Sequence, residues 1–112
     1  MTTLTQQTLK ENEKIAKIVD RVLRQIFGQE ATRLIYRYLE TRYGVKRNEI
    51  TEKIDLFARG LEEFLKTGAY VIERKILEDI YSSYGLLRRL ELKRIREEDF
   101  ASQIRMLVQR NF

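Results

Sequence analysis

The stretch LIYRYLETRYG, residues 34–44, sets Tyr36, Tyr38 and Tyr43 among Arg37 and Arg42. Aromatic rings interleaved with arginines suit a surface that stacks on nucleic-acid bases. They equally suit a helix with one buried and one wet face. The spacing favours the helix, because Ala31, Leu34, Ile35, Tyr38, Leu39 and Tyr43 recur at helical intervals before Gly44. Tyr38 and Tyr43 are therefore expected to be largely buried, with Tyr36, Arg37 and Arg42 partly exposed. Such burial leaves no stacking platform in this segment.

A second stretch repeats the pattern. IYRYLETRYG (35–44) and ILEDIYSSYG (76–85) match Ile35 with Ile76, Leu39 with Ile80 and Tyr43 with Tyr84, each tyrosine followed by glycine. The matched positions are those expected to face inward, while the arginines of the first copy have no counterpart in the second. The shared element reads as a helix-ending device, a tyrosine packed beside a terminal glycine.

Upstream, Thr8-Leu9-Lys10-Glu11 forms a capping-box pattern. Ile15, Ile18, Val19, Val22, Leu23 and Ile26 follow at helical spacing, and Gly28 offers a left-handed stop. Downstream, Ile50, Ile54, Phe57, Leu61 and Phe64 form a narrow apolar seam of the kind used for close helix pairing. Gly60 sits beside it; a mid-helix glycine costs about 1 kcal/mol relative to alanine, so a close backbone approach is expected there. Ala69, Ile72, Ile76, Ile80 and Tyr84 mark a fourth helix between Gly68 and Gly85. Phe100, Ile104, Leu107 and Val108 mark a last one, with Glu97, Glu98 and Asp99 in its first turn.

The expected fold is an all-α, compact bundle of about five helices in a single domain, 1–112. The helices are placed at 9–27, 30–43, 50–66, 69–84 and 97–110. Residues 86–96 are a connector that reads as well extended as helical.

Composition removes whole classes of chemistry. The chain has no cysteine, histidine or proline among its 112 residues. Thiolate, disulfide and histidine chemistry are thereby excluded. All five glycines are isolated, so no phosphate-cradling loop is present. Ser82 and Ser83 have no histidine to activate them. The carboxylate pairs, Glu62-Glu63 and Glu78-Asp79, are adjacent residues that diverge by about 100° on a helix. No enzyme, cofactor or metal site is expected. A helix-turn-helix centred on Gly68 is disfavoured by Phe64 and Arg74, which stand where a small and an apolar residue are wanted. No apolar run approaches the ~20 residues of a membrane span, and a cytoplasmic protein is expected. Dense charge with 14 arginines to 8 lysines suits a thermophile.

Charge alternates along the chain: residues 1–48 carry a net +5, 49–85 a net −3 and 86–112 a net +3. That layout suits complementary packing, within one chain or between two copies. Lys10, Lys14, Lys17, Arg21 and Arg24 form a ridge opposite the apolar stripe of the first helix, bordered by Glu13 and Asp20. It reads as a salt-bridged solvated face. Arg88, Arg89, Lys93, Arg94 and Arg96 are denser and less neutralised. With Lys46 and Arg47 they are the candidate contacts for nucleic acid or another partner.

FGQEATRLIYRYLETRYGV, EITEKIDLFARGLEEFL and TGAYVIERKILEDIYSSYGL, spanning 27–86, resemble the Nitrosopumilus output domain family. The shared features are Phe-Gly opening a helix, an aromatic-Gly turn, a Phe/Leu seam and an Ile-Glu-Arg helix ending near Tyr-Gly. The resemblance implies an archaeal all-helical regulatory module in signalling, with no catalytic residues to carry over. The expected role is a non-enzymatic regulatory or interaction module. A homodimer is expected through the seam Ile50, Ile54, Phe57, Gly60, Leu61 and Phe64. The alternative is nucleic-acid binding by the 88–96 cluster.

Overall fold

Residues 2–85 and 99–108 are described by the computed structural model. Its first helix, α1, runs Thr2–Tyr43 and changes direction once, at Gly28 (φ 82°, ψ 176°). Laid straight at 1.5 Å per residue, its 42 residues would span about 63 Å, whereas the molecule is 35 Å in its longest dimension. Gly28 folds it into two arms, 2–27 and 29–43. Two helices, 9–27 and 30–43, were expected, and the non-helical backbone of Gly28 does divide the segment there, with helix resuming at once on the far side. Residues 2–8 are helical as well, so Thr8 lies inside the helix rather than at its start.

The second arm ends where Gly44 and Val45 donate their N–H groups to the carbonyls of Glu40 and Leu39. A short 3-10 turn, Arg47–Glu49, follows. Glu49 accepts the Lys46 N–H, and Lys53 reaches back to the Gly44 carbonyl. These bonds occupy 46–53, which is why α2 begins at Ile54 (Ile54–Leu65) instead of Ile50. α3 spans Gly68–Ser83 and α4 Phe100–Val108. Asp99 caps α4 by accepting the Ser102 N–H at 3.0 Å. Among the described residues these four α-helices and the 3-10 turn are the regular elements, with no strand. None is long and apolar enough to cross a membrane. The connector 86–96 lies outside the described residues, as do the expected helical residues 97–98 and 109–110.

Among the described residues the fold is all-α and compact, with four α-helices, the first of them broken at Gly28, where about five were expected. α1 packs on α2, α3 and α4, and those three pack on one another. Ile15, Val19, Val22, Leu23, Ile35, Leu39, Phe57, Ile76, Ile80 and Ile104 meet in one continuous core. Fully buried Tyr81 donates its hydroxyl to Gln103 across α3 and α4 at 3.0 Å.

The seam expected to join two copies is spent inside one chain. Ile50, Ile54, Phe57, Gly60 and Leu61 are all buried against the molecule's own helices; only Phe64 is open, at 41%. Periodicity specified a close helix contact, and the second arm of α1 supplies it. Gly60 sits against Leu39 and Tyr43. An added Cβ would overlap Leu39 Cδ2 and stand 3.2 Å from Tyr43 Cδ2. Leu39 is itself buried and has little room to swing. Gly60→Ala therefore loses about 1 kcal/mol net in urea unfolding, since overpacking of about 2 kcal/mol exceeds the helix-propensity gain of about 1 kcal/mol.

Two apolar residues assigned to inward faces lie outside: Ile26 is 45% and Leu34 51% exposed. On the second arm Thr32, Ile35 and Leu39 turn inward, which carries Leu34 round toward solvent.

Candidate functional site

The tyrosines of 34–44 are half-buried, Tyr38 and Tyr43 less deeply than expected. Their hydroxyls are tethered instead. Both donate to Glu63 of α2, Tyr38 to Oε1 and Tyr43 to Oε2 (2.6 Å), and Arg42 Nε donates to Oε1 at 3.3 Å. The hydrogen bonds from Tyr38 and Tyr43, then the Arg42 charge, hold the Glu63 carboxyl down at about 2. Tyr38 and Tyr43 are raised, chiefly by the same bonds. The Tyr38 ring lies 6.3 Å from Tyr43 at 57° and 5.0 Å from Phe64 at 59°. Rings so tilted against one another do not form the parallel platform on which bases stack.

The second tyrosine-glycine ending is built alike. Tyr84 donates its hydroxyl to Glu11 of α1, and Lys14 Nζ sits 4.0 Å over its ring. Ile35 and Ile76, Leu39 and Ile80 are buried pairs, as the repeated pattern requires. Each ending thus ties a helix terminus to an acid on another helix.

What Glu63 tethers is the edge of an exposed strip. Leu34 lies one turn before Tyr38 on the second arm, and Phe64 abuts Tyr38. Glu30, Arg33, Arg37 and Thr41 on the same arm are exposed.

A cleft of about 460 Å³ opens between the two arms of α1 and the 47–52 turn, with Asn12, Lys17, Asp20, Tyr36, Arg47 and Glu52 among its lining. Asp20 accepts hydrogen bonds from Arg24 Nε (2.8 Å), Tyr36 hydroxyl (2.7 Å) and Arg47 Nη2 (3.1 Å). Burial pushes Asp20 up, but these partners outweigh it and hold the carboxyl below its usual range. Burial and the Asp20 bond raise the Tyr36 hydroxyl. The Arg47 guanidinium also lies 5.0 Å over the Tyr36 ring. Arg47, a candidate contact residue, is thereby committed to an internal ion pair. Its neighbour Lys46 is exposed. Arg88, Arg89, Lys93, Arg94 and Arg96 lie outside the described residues. In the basic ridge, Arg24 pairs with Asp20, Arg21 reaches Asp79 at 3.9 Å, and Lys14 covers Tyr84. The ridge is thus salt-bridged in part, at Arg21 and Arg24.

Glu73 was not singled out by sequence, although it falls on the α3 stripe between Ile72 and Ile76. It is only 8% exposed, and its Oε2 has no hydrogen-bond partner. Burial, a shared hydrogen bond with Glu62 of α2 and the charges of Glu62 and Asp99 push it up to about 8. Among the described residues no three acids gather closely enough to hold a metal ion.

Comparison of the chain with models of known families, with curated proteins and with solved structures gave no match.

Proposed function

We propose that the chain is a non-enzymatic interaction module that docks another protein on the Leu34–Tyr38–Phe64 strip. The observation that carries this reading is the pairing of exposure with rigidity. Leu34 and Phe64 stand 51% and 41% open. Tyr38 between them is held by its bond to Glu63 and by contact with the Phe64 ring. Side chains fixed in advance lose little entropy on binding, and large apolar anchors dominate protein interfaces. The regulatory, signalling-output character of the module, and an archaeal, cytoplasmic setting, are part of the proposal. They rest on the resemblance of residues 27–86, which is one of packing motifs.

Affinity capture from the native host tests it. Leu34→Glu combined with Phe64→Glu, on exposed sites and with wild-type circular dichroism, loses the proteins that the wild type retains. Equal recovery by both would retire the strip as a docking face. Nucleic-acid binding is the second reading, favoured by five cations among the nine residues 88–96. It requires binding to duplex DNA or RNA at about 50 mM salt that falls with Arg89→Ala, Lys93→Ala and Arg96→Ala together.

A further inference from the structure

We infer that the second arm of α1 pairs antiparallel with the same arm of a second copy, centred on Leu34, with Glu30 of each chain against Arg37 of the other. The inference rests on the docking-strip reading and names its occupant.

Two charges on this arm, Glu30 and Arg37, are arranged self-complementarily, while exposed Arg33 on the same flank meets its own copy near the axis and opposes the contact. Glu30 lies one turn before Leu34 and Arg37 nearly one turn after it, and both are exposed. At about 100° per residue they fall on the same flank of Leu34, within about 20° of each other around the axis. Separated by seven residues, they are about 10 Å apart along the helix and cannot bridge one another. Neither has an ion pair within the chain among the described residues. Several other exposed cations do find acids, as Arg42 takes Glu63, Arg47 takes Asp20, Lys75 takes Asp79 and Arg105 takes Asp55, although Arg33 on the same arm does not among the described residues.

A two-fold axis through the Leu34 contact supplies the missing partners. It places residues before Leu34 in one chain level with residues after it in the other, and keeps each flank on its own side. Glu30 then stands within about 1.5 Å of the height of the partner's Arg37, and the contact occurs twice. On the opposite flank lie small Ala31 and bulky Tyr38, whose ring lies 5.0 Å from that of Phe64. The same operation sets the Tyr38–Phe64 pair of one chain over the Ala31 notch of the other. Large against small and acid against base are what an isologous contact needs. A single helical face gives an interface at the small end of the stable range, so dissociation in the micromolar region is expected.

Sedimentation equilibrium on the full chain, from about 10 to about 500 µM in low salt, reads the result. The wild type should rise from 13.5 kDa toward twice that mass. Arg37→Glu and Glu30→Arg should each weaken association at least about tenfold, since each sets like charges opposite one another twice. The Glu30→Arg, Arg37→Glu double variant should recover to within about threefold of wild type, which a merely structural role for either residue would not produce. All three variants change exposed positions, and matching thermal melts confirm their folding. A wild type that stays at 13.5 kDa throughout, a dimer indifferent to Arg37→Glu, or a double variant that fails to recover would each overturn the pairing. A monomeric wild type whose host partner is still lost on Leu34→Glu would remove the second copy as occupant while leaving the docking face standing. A dimer that survives Leu34→Glu would place the self-contact elsewhere and overturn the pairing.

Discussion

Valine in place of Gly28 is expected to destabilise the fold by about 3 kcal/mol in urea unfolding. The residue sits at φ 82° and ψ 176°, a region that is essentially glycine's alone, where other residues pay about 1–3 kcal/mol. A β-branched side chain meets the upper end of that range. No atom beyond the neighbouring residues lies within 4 Å of where a Cβ would stand, so the Cβ itself meets no crowding. For alanine the penalty is therefore one of backbone conformation, and Gly28→Ala should show about two-thirds of the valine effect. Straightening the helix relieves the strain but pulls the arms apart, taking Ile35 and Leu39 of one arm out of the core they share with Val19 and Leu23 of the other. At high concentration a second chain can supply them by exchange of arms. Size exclusion of Gly28→Val at about 100 µM should thus reveal a dimer that is insensitive to Arg37→Glu. A variant as stable as the wild type would show that the turn does not depend on this glycine.

Glu73→Gln should act in the opposite direction and only on one side of neutrality. Folding keeps a proton on Glu73 up to about pH 8, whereas the unfolded chain releases it near 4.5. Between these values the folded protein binds more protons, so stability is full below about pH 4.5 and declines as pH rises toward about 8. At about 1.4 kcal/mol per pH unit the interval bounds the loss near 5 kcal/mol. Proton sharing with exposed Glu62 and access of water to the carboxyl's outer edge reduce the measurable part to about 2 kcal/mol. Glutamine keeps the shape, cannot ionise and can donate to Glu62. The variant should gain about 2 kcal/mol at pH near 8 and almost nothing at pH near 4, read from urea midpoints with unchanged slopes. An equal gain at both values would mean that packing rather than the proton is responsible.

Helical spacing alone placed most of the first stripe: Ile15, Ile18, Val19, Val22 and Leu23 are all buried, while Ile26 is exposed. It also found the last helix and the close contact at Gly60. Where it failed, the missing quantity was an angle or a partner. Gly28 was legible as the break between two helices, and the structure has it so; the angle at which the second arm leaves the first was not legible, because a glycine admits many backbone conformations. The bend then decides which of several apolar residues turns outward, and Leu34 could not be separated from Ile35 before it was known. The 50–64 seam was a true packing signal whose mate lies in the same chain. A heptad-like period specifies that a helix is met, not whose helix it is. Glu73 was visible as an acid on an apolar stripe, yet its meeting with Glu62 depends on how α2 crosses α3.

The carboxylate tethers at the helix ends also give the molecule a built-in optical signal. Tyr36, Tyr38, Tyr43 and Tyr84 each donate a phenolic proton to an acid, and there is no tryptophan to mask their light. Phenol emission is quenched by a carboxylate acceptor, so the native chain should be dim in the ultraviolet and brighten as the helices separate, without any attached dye.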